Sequence, residues 1–534
     1  MQVCGKIFLH IIQIRNVTMI IVGNSRLTLN DFYKVLNEGD KIELDPSARE
    51  KVTANFEFLK SFAKGKVIYG INTGLGPMAQ YKISHNNEIN LQYNLIRSHC
   101  SGLGDPLPDL YVKATMLARL SSLMQAHSGI HVEVVDLLKE LINRDINPYI
   151  PEHGGVGASG DLVQLAHLAL ILIGEGEVKY KGEFIPTPVA FKAESLVPVK
   201  VHIREGLGLI NGTSAMTGIG ILNLIHARNL VDWSILASAM INEVVESYDD
   251  HFSDGLNQVK AHSGQLKVAR LMQLILKDSR RIRRRDEHLY NGKSDEVDIF
   301  KHKVQEYYSL RCVPQVLGPI LDTILYAENV LINEVNSTSD NPIIDSESKN
   351  VYHGGNFHGD YVALEMDKLK IAITKLSMLA ERQLNYLLND KLNGILPPFV
   401  NLGKLGLNLG MQGVQFTAVS TVAENQTLSF PMYVHSITNN NDNQDIVSMG
   451  TNAALLTKKI IDNSYQVLAI EMMTILQAVD HLETGFKLSG YSRKKFEDLR
   501  KIVPRFSEDT IKYIEVKNLV QYLLENKLHF SENE

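Results

Sequence analysis

The chain has 534 residues, of which 44% are hydrophobic and 21% are charged, and its formal net charge is -6. This length and composition support a large buried core in more than one domain-sized unit. The weakly acidic balance argues against a nucleic-acid partner. The three cysteines, Cys4, Cys100 and Cys312, are too few and too far apart for a disulfide framework or a CxxC metal site. They favour a reducing, cytoplasmic setting.

The first predicted segment is an N-terminal extension, residues 1–26. Its apolar run from Ile7 to Ile14 contains two polar residues and is too short to span a membrane. It also lacks the small-residue cleavage site of a secretory signal. We therefore expect no membrane association, and an extension that is disordered or that precedes a true start at Met19.

Clusters of glycine distinguish the next segment, residues 27–210. They lie at positions 70, 74 and 76, at 102 and 104, and at 154, 155, 157 and 160. Such clusters mark loops whose backbone takes unusual angles or closely approaches another group. Residues 178–185 have the pattern of a small hairpin. We predict a loop-rich N-terminal domain that ends near Gly206–Asn211.

Long segments with helical periodicity distinguish residues 211–534. Between Asp360 and Gly394 there is no Gly or Pro, and apolar residues recur at three- and four-residue steps. Residues 221–254 and 451–484 are likewise uninterrupted. Helices of this length indicate a bundle of long rods. The predicted fold class is therefore mainly α, with a loop-rich N-terminal domain followed by a long-helix bundle.

The segment Gly154-Gly-Val-Gly-Ala-Ser-Gly-Asp-Leu162 resembles the prosthetic-group loop of the histidine, phenylalanine and tyrosine ammonia-lyases. In that family the motif glycine nitrogen attacks the alanine carbonyl, and loss of two waters leaves a methylidene-imidazolone. The resemblance implies that Ala158, Ser159 and Gly160 form this electrophile. Glycine tolerates the strained angles, alanine leaves its carbonyl uncrowded and serine supplies the departing hydroxyl. Taken alone, the segment equally fits a glycine-rich turn or an anion-binding helix N-terminus capped by Asp161.

Further motifs follow in the order of the same family. They are Tyr69–Gly76, Leu91–His99, Ile210–Thr213, Tyr308–Arg311, Ser339–Pro342, Gly354–Phe357 and Asn443–Asp445. The resemblance covers nearly the whole chain from about Leu27. It implies a fumarase/aspartase-like fold and a homotetramer with active sites shared among chains. Residues 153–164 and 439–448 are most similar to bacterial tyrosine ammonia-lyases of flexirubin-type pigment pathways.

Roles for the charged and phenolic residues come from the same resemblance. It implies Tyr69 as the base that removes the β-proton, with Tyr308 assisting. An unperturbed tyrosine has a pKa of about 10, so such a base needs nearby positive charge. Arg311 offers a planar fork for the substrate carboxylate, or alternatively for an internal salt bridge.

Three more residues complete the predicted site. Asn211 is expected to orient the prosthetic ring or the amine. Asn341 is expected to contact the carboxylate, or to hold a turn before Pro342. Phe357 is expected to form a wall of the pocket, or to pack in the core.

The residues expected to choose the substrate give mixed signals. Ser98-His99 matches the pair typical of histidine ammonia-lyases, whereas Gln444 stands where those enzymes carry a glutamate. A neutral amide suits a phenol better than an imidazolium, and His99 can hydrogen-bond a phenolic hydroxyl. We therefore rank tyrosine first, histidine second and phenylalanine third as substrates, with an aromatic 2,3-aminomutase as a further alternative.

Weaker signals point elsewhere. The basic run 280–285 could bind phosphates, but Asp286 and Glu287 follow it, which favours a solvated loop or a salt-bridge site. The 18 histidines form no HExxH motif, so no metal is expected. A catalytically silent scaffold or binding protein is the alternative from a different class. Intact Ala158-Ser159-Gly160, Tyr69 and Arg311 argue against it.

Overall fold

The computed structural model describes residues 19–290, 299–300 and 303–530. Its strands are short: β1 Met19–Val22, β2 Lys41–Leu44, β3 Leu103–Pro106, β4 Asn147–Pro148, β5 Pro151–His153, β6 Glu177–Tyr180, β7 Glu183–Pro186, β8 Ile343–Asp345 and β9 Asn350–Tyr352. Strands β1 and β2 pair in parallel, whereas β3–β5, β4–β6–β7 and β8–β9 pair antiparallel. These small sheets add only a few residues to the hydrophobic core, among them Val22, Ile42, Leu44 and Val178.

Helices make up most of the described chain. They are α1 Leu29–Tyr33, α2 Pro46–Phe62, α3 Glu88–His99, α4 Asp109–Leu123, α5 Val132–Asn143, α6 Leu162–Leu172, α7 Thr187–Glu194, α8 Glu205–Ile210, α9 Ser214–Val244, α10 Asp254–Asn257, α11 Ser263–Leu276, α12 Arg285–Leu289, α13 Tyr308–Arg311, α14 Val313–Val335, α15 Asp360–Leu388, α16 Asp390–Asn393, α17 Gln412–Leu428, α18 Gly450–His481, α19 Gly490–Arg500 and α20 Tyr513–Glu525. Short 3₁₀ turns cover Gly76–Met78, His85–Asn87, Asp249–Phe252, Pro398–Val400 and Gly485–Lys487, and a π-helical turn covers Lys34–Glu38.

The core is a bundle built around α9 and α18. Helix α15 packs against both of them, α14 packs against α9 and α15, and α4 packs on α9. Nearly every side chain of α9 is buried, including Trp233. A helix that is apolar all round has to be surrounded by other helices, so α9 forms the centre of the bundle and α15 and α18 turn their apolar faces towards it.

The structure confirms the mainly α, long-helix fold and corrects some of the predicted ends. Helix α18 is close to the predicted 451–484, and α15 begins at Asp360 as predicted. It ends at Leu388 because Asn389 leaves the helical region, at φ −102° and ψ 99°. The predicted helix 221–254 is displaced: α9 runs from Ser214 to Val244, and Glu246 has a φ of 54° that ends the helical path. Neither end is marked by Gly or Pro.

The N-terminal segment is partly ordered. Residues 1–18 of the predicted extension lie outside the described residues, whereas Met19–Val22 pairs with β2 and is therefore not disordered. The predicted hairpin is confirmed as β6–β7, with Lys181 at φ 52° and Gly182 at φ 92° in its two-residue turn. One hydrophobic core contains residues from both sides of position 210. The domain division 27–210 and 211–534 stays a prediction.

The structure also bears on the basic run 280–285 and on membrane-spanning segments. In the basic run, Arg281 and Arg283 both pair with Glu246, and Arg285 pairs with Asp250. The run is thus a set of salt bridges within the chain. Among the described residues, no helix is both long enough and apolar enough to cross a membrane.

Candidate active site

The loop between β5 and α6 carries Ser159 and is shaped by Gly160. Gly160 has a φ of +71°, and a Cβ at this position would lie 2.0 Å from the carbonyl oxygen of Gly212. The next backbone N–H, that of Asp161, donates to the same carbonyl at 2.7 Å. Only glycine fits this close approach between two backbone segments. The loop is therefore held against the Asn211–Thr213 turn that precedes α9.

Three helices begin around this loop. Helix α6 starts directly after Asp161, and the Asp161 carboxylate accepts the Met216 N–H of α9 at 2.8 Å and the Thr451 hydroxyl of α18 at 2.5 Å. Burial raises the pKa of Asp161 to about 6, opposed by these two hydrogen bonds. Helix N-termini carry partial positive charge. Their convergence stabilises the Asp161 carboxylate, which anchors the Ser159 loop to α9 and α18.

Two asparagines hold the Ser159 carbonyl from one side. The side-chain amide of Asn211 donates to this carbonyl at 2.8 Å. The side-chain oxygen Oδ1 of Asn211 accepts the Asn341 backbone N–H at 2.8 Å, and the Asn341 side chain accepts the Gly354 N–H at 2.7 Å. The predicted residues Asn211 and Asn341 therefore belong to one hydrogen-bonded chain that ends on Ser159.

A cavity of about 810 Å³ opens over Ser159. Seven of the predicted site residues line it: Tyr69, His99, Ser159, Asn211, Asn341, Phe357 and Gln444. The Tyr69 hydroxyl accepts the backbone N–H of Gly76 at 3.0 Å. Ala158 is buried beneath the loop against Val447 and Met449. The volume is in the range of small-molecule sites.

His99 and Gln444 supply polar groups at this cavity. His99 Nδ1 lies 2.9 Å from the Leu95 carbonyl oxygen. A carbonyl can only accept, so the hydrogen-bond pattern assigns the proton of a neutral His99 to Nδ1 and leaves Nε2 as an acceptor. The Gln444 amide nitrogen donates to the Ser159 hydroxyl at 2.7 Å.

Tyr308 and Arg311 are not brought to this cavity within one chain. Neither is among the described residues that line it. Tyr308 is 72% exposed and lines a separate cavity of about 510 Å³ beside Tyr307 and Tyr386. The Arg311 guanidinium lies 4.8 Å from the centre of the Tyr308 ring. The two predicted residues thus lie together, with Tyr308 exposed and Arg311 partly buried, outside the described lining of the Ser159 cavity.

Comparison with known proteins settles the family. The family model described as "Aromatic amino acid lyase" matches residues 27–501. This chain belongs to the aromatic amino acid lyase family. A tyrosine 2,3-aminomutase from Myxococcus sp. (strain Mx-B0) is 41% identical over 490 residues, covering 90% of this chain and 92% of the relative. A histidine ammonia-lyase from Natranaerobius thermophilus is 37% identical over 512 residues, covering 96% and 98%.

Solved structures of the family have the same fold. The tyrosine aminomutase of Streptomyces globisporus superposes with a TM-score of 0.91 at 33% identity, covering 95% of this chain and 97% of that one. The histidine ammonia-lyase of Trypanosoma cruzi gives a TM-score of 0.84 at 30% identity, with 95% of this chain covered. The fumarase/aspartase-like architecture predicted from the motifs is therefore confirmed.

The family uses a methylidene-imidazolone that forms autocatalytically, and no metal. The loop of this lyase fits that group. A Cβ at position 160 would collide with Gly212, so only glycine fits there, and the Asn211 amide donates to the Ser159 carbonyl. These features allow the backbone on either side of Ser159 to bend back on itself, as ring closure requires.

Sequence reasoning missed some residues of the lyase cavity. His353 and Asn440 both line it. His353 directly precedes the Gly354–Phe357 motif, and Asn440 lies in the asparagine-rich 439–448 segment. Their positions next to family motifs could have identified both residues as candidates. Their direction towards the cavity depends on the β8–β9 hairpin and on the positive φ of Asn440, 53°, which the sequence does not reveal.

Proposed function

We propose that this lyase eliminates ammonia from L-tyrosine to give trans-4-coumarate, using an electrophile formed from Ala158, Ser159 and Gly160. The observation that carries the proposal is the pairing of His99 and Gln444 at the same cavity as Ser159. Together they offer a phenol-binding acceptor and a neutral amide, without the acidic group that would favour an imidazolium.

The reacting end of the cavity supports an elimination. The methylidene-imidazolone supplies an electrophile that captures the amine and makes it a better leaving group. Asn211 donates to the carbonyl of Ser159, and the Asp161 carboxylate, held by the Met216 N–H and the Thr451 hydroxyl, anchors the loop. The Asn211 amide can thus stabilise negative charge at this carbonyl without reorganising during the reaction.

Tyr69 is the proposed base for the β-proton. Its hydroxyl lines the cavity and accepts the Gly76 N–H. This hydrogen bond fixes the position of the phenolic oxygen at the cavity, and a base has to lie within reach of the proton that it removes. The loop Tyr69–Gly76 thus presents both the proposed base and the group that orients it.

Arg311 and Tyr308 reach a Ser159 cavity from a neighbouring chain in this proposal. Neither lines the Ser159 cavity of its own chain; Tyr308 is largely exposed and Arg311 is partly buried. Helix α17 also exposes Phe416 and Val419, which a partner chain would cover. We infer a homotetramer whose active sites combine residues of several chains, with Arg311 binding the substrate carboxylate.

Contacts with the substrate ring distinguish tyrosine from phenylalanine and histidine as substrates. His99 Nε2 can accept the tyrosine O–H, whereas phenylalanine would leave it unpaired. Phenylalanine should therefore be rejected most strongly, because unpaired buried polar groups can cost roughly 10⁴–10⁵ in specificity. Histidine could donate to the same acceptor, but Gln444 cannot supply the charge that anchors an imidazolium.

A 2,3-aminomutase is the second candidate. The relatives and structures named as tyrosine aminomutases share high coverage with this chain. Such an enzyme returns the amine to the neighbouring carbon before the product leaves. The two activities differ in how long the cinnamate-type product stays bound, which depends on closure of the cavity.

The proposal extends to the cellular setting. Cys100 and Cys312 are free thiols, which suits a reducing cytoplasm. A role in pigment synthesis stays a prediction based on the resemblance of residues 153–164 and 439–448.

The test combines intact mass with product analysis. We expect the purified protein to weigh two waters less than its sequence and to form 4-coumarate from tyrosine faster than urocanate from histidine or cinnamate from phenylalanine. Ser159→Ala should keep the full mass, fold normally and lose nearly all activity. Ser101→Ala is the control, because Ser101 is an exposed serine after α3. This variant should lose two waters and keep the activity of the parent.

The products decide among the candidates. A β-amino acid as main product would favour the aminomutase, and faster formation of urocanate would contradict the weight given to Gln444. Full activity of Ser159→Ala would exclude the proposed electrophile.

A further inference from the structure

Arg204 is a fully buried arginine behind the catalytic loop. It directly precedes α8 and has a left-handed backbone, with φ 67° and ψ −17°. Its guanidinium donates to the carbonyl of Ser128, to the carbonyl of Pro342 at 2.6 Å and to the carboxylate of Asp340 at 3.2 Å. Arg204 is not among the described residues that line the Ser159 cavity.

Two of the three groups that Arg204 contacts lie on either side of Asn341 in the chain. One is the side chain of the preceding residue, Asp340, and the other is the carbonyl of the following residue, Pro342. The guanidinium therefore holds both ends of the short segment that carries the Asn341 N–H. Its planar fork suits this task, because it binds two acceptors in a fixed geometry.

The held segment leads directly to Ser159. The Asn341 N–H donates to the Asn211 side-chain oxygen at 2.8 Å, and the Asn211 amide donates to the Ser159 carbonyl at 2.8 Å. Arg204 is thus connected to the backbone of Ser159 through the covalent segment 340–342 and two hydrogen bonds, the first of which ends on the side-chain oxygen Oδ1 of Asn211.

Stability alone does not explain a charge at this place. A second buried arginine, Arg119, lies nearby, bonded to the Gly208 carbonyl, and burial lowers its pKa to about 10. Two buried guanidinium groups repel each other, and apolar side chains of similar volume often stabilise a core as well or better. The left-handed backbone of Arg204 is also unfavourable for a non-glycine residue. Features of this kind persist where the surroundings need a particular geometry.

We propose that Arg204 is a positioning residue which, through Asn341 and Asn211, holds the Ser159 carbonyl in the orientation needed for ring closure and turnover. This inference rests on the proposed origin of the electrophile from residues 158–160.

The chemistry of ring closure explains the dependence on position. A bond forms between the Gly160 nitrogen and the Ala158 carbonyl carbon. The Ala158 oxygen leaves as one water with the amide hydrogens of Gly160 and Ser159. The Ser159 hydroxyl leaves as the second water with the α-hydrogen of the same residue. The Ser159 carbonyl lies between the two reacting atoms, so its orientation sets their approach.

The test uses three variants of the full-length protein. Arg204→Met removes the donors, and Arg204→Lys keeps a charge that can still reach Asp340. Arg281→Met is the matched control, because Arg281 is also buried and binds two backbone carbonyls and one carboxylate, those of Glu243, Val244 and Glu246. The measurements are the fraction of chains that have lost two waters, kcat and KM for tyrosine, and thermal unfolding.

We expect Arg204→Met to mature incompletely and its matured fraction to show a kcat lower by about tenfold to 10²-fold, the range expected when a reacting group is misplaced. Arg204→Lys should restore most of the water loss. Arg281→Met should lower the unfolding temperature to a similar extent and still lose two waters completely.

Complete water loss and parental kcat in Arg204→Met would overturn the inference, as would incomplete water loss in Arg281→Met. If Arg204→Met fails to fold, Arg204→Gln decides between the same two results, because its amide replaces only part of the fork. Failure of the parent itself to lose two waters would instead contradict the proposed electrophile, so the two failures are distinguishable.

Discussion

The side-chain amide of Gln444 donates a 2.7 Å hydrogen bond to the hydroxyl of Ser159, a residue 285 positions earlier in the chain. In the proposed reaction this hydroxyl leaves as water. The Gln444 amide then loses its acceptor and becomes available to the substrate. One residue would thus contact the precursor of the electrophile first and the amino acid afterwards.

Gln444→Glu should lower kcat/KM for tyrosine by about tenfold or more. The variant loses the amide donor, and a hydrogen bond to a charged group contributes about 1.5–3 kcal/mol. Its carboxylate also opposes negative charge near Ser159. The ratio of histidine to tyrosine turnover should rise. Gln258→Glu adds the same charge at an exposed position directly after α10 and should leave both values unchanged. An unchanged ratio in Gln444→Glu would remove Gln444 from substrate choice.

His99→Phe should shift preference from tyrosine to phenylalanine. The variant removes the Nε2 acceptor that His99 presents while its Nδ1 is bonded to Leu95. We expect the tyrosine-to-phenylalanine ratio of kcat/KM to fall by at least about 10²-fold. His85→Phe, at a side chain that is 92% exposed, is the control. A ratio that does not move would show that the phenol binds elsewhere.

Gly160→Ala should abolish the loss of two waters. Its Cβ would meet the Gly212 carbonyl oxygen at 2.0 Å, in addition to the strain of a φ of +71°. Gly182→Ala is the matched control, because Gly182 has a φ of +92° and nothing within 4 Å of an added Cβ. The control should lose about 1–2 kcal/mol of stability and mature fully. Intact mass measures both, and a matured Gly160→Ala protein would contradict the geometry.

Co-expression of Tyr69→Phe and Arg311→Met chains should restore part of the activity that each variant lacks alone. The reason is that Tyr69 lines the Ser159 cavity of its own chain, whereas Arg311 does not. Mixed tetramers then contain some sites with both native residues. Tagged chains purified together give the measurement, and chains purified apart and assayed without mixing give the baseline. Inactive mixed tetramers, or an active monomer, would refute shared sites.

The free energy of unfolding should fall as the pH rises from about 4 to about 6, because the native protein has to ionise the buried Asp161. Burial raises its pKa from 3.8 to about 6, so the native state keeps a proton that the unfolded chain has already released. The free energy of unfolding then falls with pH across this window, by up to about 3 kcal/mol. Urea unfolding of Asp161→Asn should show a weaker decline than the parent. An equal decline in both proteins would assign it to other acids.

Much of the site was predictable because its chemistry is local. Ala158-Ser159-Gly160 is contiguous, and its residue types follow from the needs of ring closure. The motifs that contain Tyr69, Asn211 and Gln444 are recognisable as short segments. The long helices were equally visible, since a 3.6-residue period over many turns allows little else. Their ends were less certain because Asn389 and Glu246 stop helices through backbone angles, with no Gly or Pro to mark them.

The sequence by itself determined the mainly α fold, and it predicted the proposed source of the electrophile and most of the residues around it. The tertiary structure decided which of them meet: it placed Gln444 on Ser159, gathered three helix N-termini at one loop, and kept Arg311 away from the cavity of its own chain. It also connected the buried Arg204 to Ser159 through two asparagines. These relationships join residues more than 50 positions apart. They depend on how the helices pack, and packing is a property of the whole core that no short segment encodes.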